Sequence, residues 1–184
     1  AAHVNYDNVG TWEWIVARDG KPYLLEVNTR IQVENDVSAR ISYVDGKHPN
    51  LIKEQIRLAL GEKIGYAQKD IKFNGASIEL RLVAEDTHRG FAPWIGTINE
   101  FYFPQEEWSA VYTHVPFDRS YMIPSEYDPN LALVLVWGDS IDEAKRRAAL
   151  FLDRTAIAGT NSKGEPIMTN IPYLRNNLDR LLTF

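Results

Sequence analysis

Two short apolar runs near the start of the chain have the residue types of β-strands. They cover residues 11–17 and 22–27, and the Asp19-Gly20 pair between them is a strong hairpin signal. A two-residue turn there places Glu13 directly opposite Glu26, whereas a bulged three-residue loop shifts the pairing by one position and keeps both carboxylates close. The pattern therefore predicts a β-hairpin with two neighbouring carboxylates.

Strict alternation of polar and apolar residues continues after this hairpin, as far as residue 34. Alternation with a period of two is typical of an extended strand whose successive side chains point to opposite faces. The polar face of this predicted strand carries Glu26, Asn28, Arg30, Gln32 and Glu34.

Helical and strand periodicities divide the remaining chain. Asn50 is predicted to cap a helix over residues 50–60 that Gly61 stops, and strands are predicted at residues 76–85, 95–103, 110–117 and 131–137. A capping box at residues 140–143 predicts the start of a helix that runs to about residues 156–158, and residues 160–166 are predicted to form an exposed loop. Thr169 or Asn170 is predicted to cap a last helix, whose buried side chains are Leu174, Leu178 and Leu181. We expect an α+β fold with an antiparallel sheet, divided near residues 61–75 into parts at 1–66 and 75–184.

Composition narrows the class of protein. The 184 residues are 45% hydrophobic and 24% charged, which is typical of a globular domain, and the net charge of −5 without basic clusters disfavours nucleic-acid binding. The longest apolar run, residues 131–137, is too short to span a membrane. Absence of cysteine favours a reducing compartment, the cytoplasm or an organelle matrix. The start at Ala1-Ala2-His3, without Met or a signal peptide, suggests a processed chain or a fragment.

The paired carboxylates are the first candidate for chemistry. Like charges opposite each other on a sheet destabilise it unless a partner compensates them, and Glu13, Glu26 and Asn28 together offer the oxygen ligands that Mg²⁺ or Mn²⁺ prefers. The alternative is that both carboxylates face solvent and interact with Arg30 or Lys21.

Arg30, Gln32 and Glu34 form a second candidate group. An arginine fork recognises a planar oxyanion, an amide adds a donor, and a nearby carboxylate can serve as a general base. A bicarbonate-like or carboxylate substrate activated by a phosphate donor suits this set. The alternative is a ladder of solvent-exposed ion pairs on an edge strand.

The segment Glu26-Val-Asn-Thr-Arg-Ile-Gln-Val-Glu34 resembles the signature of the biotin carboxylases, ATP-grasp enzymes within acetyl-CoA, propionyl-CoA and pyruvate carboxylases. Further matching segments follow the family's order and lie at residues 9–13, 77–86, 91–98, 127–129 and 169–174. The resemblance implies the end of an ATP-grasp domain followed by the antiparallel-sheet biotin carboxylase C-terminal domain, together about two-fifths of the family's length.

The resemblance also implies roles for individual residues. Glu13, Glu26 and Asn28 match the family's ligands for the Mg²⁺ that bridges ATP phosphates, and Glu26 is also counted among the ATP-binding residues. Arg30 matches an arginine near bicarbonate and the biotin ring, and Gln32 with the backbone of Val33 matches positions that hold bicarbonate.

Four further residues complete the implied site. Glu34 matches the general base that deprotonates bicarbonate, and Arg81 matches the arginine that stabilises the biotin enolate. Ile15 and Ile171 match apolar residues that flank the adenine of ATP, although plain core packing explains them equally well.

The chain departs from the family's pattern at several positions. Asn35 and Asp36 replace the usual His-Pro, Ser38 and Ala39 replace Thr-Glu, and Leu133 stands where a lysine is common. The loops at residues 46–50 and 160–168 resemble insertions. The Gly-rich loop and lysines that cover the ATP phosphates are not among these residues, so we expect the chain alone to be inactive.

The implied partners are a biotin carboxyl carrier protein, a carboxyltransferase, the preceding ATP-grasp region and a second copy in a homodimer. Two alternatives stay open. One is another ATP-grasp ligase of the carbamoyl phosphate synthetase type, against which the Arg30–Glu34 continuation and the Arg81 strand argue. The other is a non-catalytic module that docks or dimerises with a separate ATP-binding chain.

Overall fold

The computed structural model describes residues 2–124 and 129–182. The fold is α+β, as predicted, and divides into two compact units, Ala1–Asn74 and Gly75–Phe184. Tyr127 and Asp128, part of one matching motif, lie outside the described residues. No helix in the described part of the chain is both long and apolar enough to cross a membrane.

The first unit holds a hairpin, two α-helices and a second, very short strand pair. Its elements are β1 (Thr11–Val16), β2 (Pro22–Asn28), α1 (Asn35–Ile41), β3 (Ser42–Tyr43), α2 (Leu51–Ala59) and β4 (Lys72–Phe73), with 3₁₀ turns at Ala2–Val4 and Gln68–Asp70. Strands β1 and β2 pair antiparallel, as do β3 and β4.

The hairpin prediction is confirmed, with a different turn. Ala17 N–H donates to the Lys21 carbonyl at 2.9 Å, so the loop has three residues, and Gly20 takes a positive φ of 81° within it. A bulge between Glu13 and Trp14 offsets the extra loop residue. Glu13 therefore still lies directly opposite Glu26.

The prediction of a continuous strand as far as residue 34 is wrong, because β2 ends at Asn28. Strand β1 begins at Thr11, whose partner is Asn28, so no described strand pairs with the backbone that follows Asn28. Asn35 donates from its backbone and its side chain to the Gln32 carbonyl, at 3.2 and 2.8 Å. These local bonds make a turn, and the unpredicted helix α1 follows with Glu34 at its N-cap position.

Helix α2 agrees with its predicted caps. The side chain of Asn50 accepts a hydrogen bond from the backbone N–H of Lys53 at 2.9 Å, and Gly61 follows the helix with a φ of 82°.

The described residues of the second unit form two three-stranded antiparallel sheets, one short strand pair and two helices. Its strands are β5 (Ala76–Val83), β6 (Glu85–Asp86), β7 (Ala92–Pro93), β8 (Thr97–Tyr102), β9 (Ser109–Tyr112), β10 (Tyr121–Met122), β11 (Asn130–Gly138) and β12 (Ala156–Thr160), and its helices are α3 (Ile141–Arg154) and α4 (Ile171–Leu181). One sheet has the order β5-β11-β9, the other β10-β8-β12, and β6 pairs with β7.

The core of the second unit forms where β5, β8, β11 and α3 contribute apolar side chains. Alternate residues of β5 are buried, whereas β11 is buried at every position from Leu131 to Val136. Helix α3 buries Ala144, Ala148, Phe151 and Leu152. Ser140 caps this helix by accepting from the Glu143 N–H at 3.2 Å, and the Glu143 carboxylate accepts from the Asp139 N–H rather than from that of Ser140.

Two boundaries in the second unit differ from the prediction. Helix α3 ends at Arg154, and the residues expected to finish it form β12, which pairs with β8. In α4, Leu174 and Leu178 pack on the core as predicted, but Leu181 is 47% exposed and Leu182 packs there instead. The strands predicted at 95–103 and 110–117 are shorter, at Thr97–Tyr102 and Ser109–Tyr112.

Candidate functional site

The hairpin of the first unit brings three predicted metal ligands together. Asn28 Nδ2 donates to Glu13 Oε1 at 2.9 Å and lies 3.4 Å from Glu26 Oε1. The amide group therefore bridges two carboxylates that the register places opposite each other. Such a bridge partly offsets the repulsion between the two charges.

The donor set fits a hard divalent cation. Two carboxylates and an amide oxygen, after a flip of the Asn28 amide, are the oxygen ligands that Mg²⁺ accepts, with waters and phosphates as the other ligands. Within residues 2–124 and 129–182, no group of three or more histidine, cysteine or acidic side chains could hold a metal ion, so Asn28 is needed to complete the set. Lys21, one of the alternative partners of these carboxylates, pairs with Asp19 at 3.3 Å.

The second candidate group lies on the turn between β2 and α1. Arg30 is exposed, and its Nη1 donates to the Ile31 carbonyl at 3.3 Å. Gln32 and Glu34 are partly buried, and Val33 is exposed. The structure thus places these residues on a turn and a helix start rather than on one face of a strand.

Several departures from the family pattern lie on this turn or in its helix, and one lies in β11. Asn35 holds the turn through the Gln32 carbonyl, Asp36 pairs with Arg40 at 3.8 Å, and Ala39 is buried. Leu133, at a position where lysine is common in the family, is buried in β11 directly opposite Arg81.

Arg81 and Ile171 belong to the second unit. Arg81 lies on the exposed face of β5, with its Nη2 3.5 Å from Glu79 Oε1. Ile171 begins α4 and packs partly against the core, which fits the core-packing alternative, whereas Ile15 in β1 is 55% exposed and does not.

The sequence predicts only a capping role for Asn170, yet the Asn170 side chain makes no cap hydrogen bond. It accepts from the Val83 N–H and donates to the Arg81 carbonyl, both at 2.9 Å. It also hydrogen-bonds Glu85, whose carboxyl pKa is raised by burial and lowered in part by that bond. The only sequence signal was the residue type, because its partners lie 87 and 89 residues away.

Comparisons with protein families match both parts of the chain. The model described as "Biotin carboxylase C-terminal domain" matches residues 79–180, which is more than half of the chain. The model described as "Carbamoyl-phosphate synthase L chain, ATP binding domain" matches residues 1–67.

Individual relatives agree with these matches. The 2-oxoglutarate carboxylase small subunit of Hydrogenobacter thermophilus is 39% identical over 176 residues, covering 96% of this chain and 34% of the relative. Biotin carboxylase 2, chloroplastic, of Populus trichocarpa is 40% identical over 179 residues, covering 97% of this chain and 31% of the relative. The chain thus spans about a third of the length of the curated relatives it matches.

Solved structures give the same result for the fold. The biotin carboxylase domain dimer of Hydrogenobacter thermophilus 2-oxoglutarate carboxylase, a complex with MgADP, ADP and bicarbonate, aligns with a TM-score of 0.80 at 38% identity, over 92% of this chain and 34% of that one. The biotin carboxylase subunit of a pyruvate carboxylase aligns with a TM-score of 0.81 at 34% identity, over 94% and 35%. With the family match over residues 79–180, these likenesses show that the chain belongs to the biotin carboxylase family.

Proposed function

We propose that this chain supplies the C-terminal part of a biotin carboxylase, which uses ATP and bicarbonate to carboxylate biotin on a carrier protein. In this proposal residues 1–66 finish an ATP-grasp domain and residues 75–184 form the C-terminal domain. The observation that carries it is the hairpin register. It sets Glu13 opposite Glu26 with Asn28 between them, immediately before the turn that holds Arg30 and Glu34.

The metal ligands act first in the proposed mechanism. Glu13, Glu26 and Asn28 would hold Mg²⁺ or Mn²⁺, which offsets the negative charge of the ATP phosphates when bound. Ile15 and Ile171 flank the adenine, and Glu26 also counts among the nucleotide-binding residues. Because the metal would offset the phosphate charge, it would favour transfer of the γ-phosphate to an anionic acceptor.

Bicarbonate is the acceptor in the proposed reaction. Gln32 and the backbone of Val33 hold it, and the Arg30 fork neutralises its charge. The Glu34 carboxylate removes its proton so that the freed oxygen attacks the γ-phosphate, giving carboxyphosphate and ADP. Carboxyphosphate then breaks down to CO₂ and phosphate, the released phosphate takes the ureido N–H proton of biotin, and Arg81 stabilises the resulting enolate, which captures the CO₂.

The proposed enzyme needs parts that these 184 residues do not contain. A preceding ATP-grasp region supplies the Gly-rich loop and lysines, so the chain alone turns over no ATP. A biotin carboxyl carrier protein presents the biotin, a carboxyltransferase passes the carboxyl group to the final acceptor, and two copies form a homodimer. A relative's biotin carboxylase domain is described as a dimer, which supports the last point. We place the enzyme in the cytoplasm or an organelle matrix.

The test uses the full-length protein from its native gene. We expect an ATPase activity that depends on bicarbonate and rises with free biotin. Glu34→Gln removes the base but keeps the shape of the side chain, so the rate should fall about 10²- to 10⁴-fold. The matched control is Glu62→Gln, because Glu62 is exposed in the same unit and pairs with Arg57.

Three results separate the alternatives. A protein without bicarbonate-dependent ATPase excludes the carboxylase and favours a non-catalytic docking module. An ATPase rate that does not change when free biotin is added favours another ATP-grasp ligase. Full activity of the Glu34→Gln variant refutes the assignment of the base even within the correct family.

A further inference from the structure

Asn170 is a buried polar residue whose side chain forms hydrogen bonds with β5, the strand that carries Arg81. The residue is 7% exposed. Its Oδ1 accepts from the Val83 N–H at 2.9 Å, its Nδ2 donates to the Arg81 carbonyl at 2.9 Å, and the side chain also bonds the Glu85 carboxyl. Its backbone N–H donates to the Val83 carbonyl at 3.1 Å.

These bonds close an open edge of the sheet. In the order β5-β11-β9, strand β5 is an edge strand with β11 on one side only. The carbonyl of residue 81 and the N–H of residue 83 point to the same side of a strand, so one amide side chain can satisfy both. Asn170 thus takes the place of a neighbouring strand at this point.

We call the two side-chain hydrogen bonds of Asn170 to β5 the Asn170 clamp. The clamp holds the backbone of Arg81, whose side chain has the proposed role at the biotin enolate. Arg81 is about half exposed, and its Nη2 lies 3.5 Å from Glu79 Oε1. A long, exposed side chain keeps its working position only when its backbone is fixed. Asn170 fixes that backbone at the Arg81 carbonyl itself.

We propose that Asn170 is a positioning residue for the biotin-dependent step, acting through the backbone of Arg81. It also precedes Ile171, so one side chain joins the nucleotide-flanking start of α4 to the strand that carries Arg81. The inference rests on the proposed function and deepens it. It assigns to the buried amide a role in the reaction in place of the helix cap that the sequence predicts.

The test is a double-mutant cycle in the full-length protein, with free biotin as the substrate. Asn170→Asp keeps the acceptor for Val83 N–H but replaces the donor by a carboxylate facing the Arg81 carbonyl and Glu85. A net hydrogen-bond contribution of about 0.5–1.5 kcal/mol corresponds to a kcat loss of about two- to tenfold. In an Arg81→Gln background, the same change should cost less than about twofold, because the group it positions is gone.

The matched control is Asn177→Asp. Asn177 lies in the same helix, and its side chain donates to the Tyr173 carbonyl at 2.8 Å within that helix. This variant makes the same chemical change in α4 without contact to β5, so its kcat loss should be equal in both backgrounds. An equal loss for Asn170→Asp in both backgrounds, or no loss in either, overturns the proposal.

A measurement on the unmodified protein covers the case in which the Asn170 variants do not fold. Hydrogen exchange with and without MgADP follows the amides of residues 81–84 and the first turn of α4. We expect MgADP to slow exchange in both segments by similar factors. Slowing confined to α4 contradicts the clamp. A wild-type enzyme that binds MgADP but lacks biotin-dependent activity refutes the proposed function. The slowing of exchange in residues 81–84 and in the first turn of α4 can still be measured in that case, so the two failures are distinguishable.

Discussion

The two units of the chain differ in how they treat their apolar residues. The second unit buries large side chains completely, among them Phe151, Leu82 and Ile98. In the first unit, only Ala39 and Ser42 are buried among the described residues. Its hairpin instead exposes a set of large apolar side chains, namely Trp14, Ile15, Val16, Tyr23, Leu24 and Leu25.

The difference in burial means that the second unit has a packed core, whereas the hairpin that carries the proposed metal ligands lies in the unit whose described residues form none. Burial of apolar area stabilises a fold by about 25 cal/mol per Å², and a two-stranded hairpin alone is marginal. We therefore expect the second unit to fold independently. The hairpin that holds Glu13 and Glu26 leaves its large apolar side chains exposed and has no such core beneath it among the described residues.

The largest expected effect comes from separating the units. Residues 75–184 expressed alone should unfold in one cooperative thermal transition, because every buried apolar side chain of the described residues except Ala39 lies in this unit. Residues 1–74 alone should show no cooperative transition and little protection from hydrogen exchange. Circular dichroism during heating measures both. A cooperative transition of residues 1–74 at a similar temperature would remove the contrast between the units.

A pair of truncations tests the same contrast inside the intact 184-residue chain. Phe151 is fully buried and stacks on Phe103 with ring centroids 6.0 Å apart, so Phe151→Ala should cost about 3–5 kcal/mol. Trp14→Ala removes a half-exposed ring and should cost less than about 1 kcal/mol. Hydrogen exchange of β5 and β1 amides reports each local opening free energy. Equal losses at the two sites would contradict the assignment of the core.

Two glycines give a smaller version of this comparison. A Cβ on Gly159 in β12 would collide with the Thr97 carbonyl and lie 2.9 Å from Ile98 Cα, so Gly159→Ala should cost about 1–3 kcal/mol. Gly20 has open space around it but a φ of +81°, so Gly20→Ala should cost about 1–2 kcal/mol from backbone strain alone.

Thermal unfolding distinguishes the two causes. Gly20→Asn should recover part of the loss, because asparagine tolerates a positive φ. No such recovery is expected for Gly159→Asn, where any side chain meets backbone. Recovery at Gly159 would show that the close approach of β12 to β8 is not tight.

Elements set by local patterns were predicted well from the sequence. The hairpin, the Asn50 cap and the alternating burial of β5 follow from periodicity and capping chemistry that neighbouring residues determine. The end of β2 did not follow, because alternation shows which residues suit a strand but not where its partner begins. Strand β1 starts at Thr11, and that fact fixes the last paired residue of β2.

The candidate site shows the same limit. The facing carboxylates were predictable because one hairpin forms them, whereas the turn at Arg30–Glu34 depends on bonds of Asn35 that compete with an extended strand. Asn170 has a residue type suited to a helix cap, yet its side chain bonds a strand almost ninety residues earlier. No local pattern encodes such a contact.

The smallest expected effect concerns the pH dependence of the second unit. Burial raises the pKa of Glu85 above the ordinary carboxyl value of about 4.5, and the hydrogen bond from Asn170 lowers it in part. The folded state therefore holds this proton at pH values where the unfolded state has lost it, and its stabilising contribution disappears as the pH rises from about 4.5 through the raised folded value. Glu85→Gln can still accept the bond but cannot ionise.

We expect the Glu85→Gln variant of residues 75–184 to have a flatter dependence of Tm on pH between about 4 and 8 than the wild type. At neutral pH it should be slightly more stable, because the wild type holds a partly buried charge there. Glu107→Gln, at an exposed site in the same unit, is the matched control and should leave the slope as it is. Parallel curves for Glu85→Gln and the wild type would mean that burial does not perturb this carboxyl.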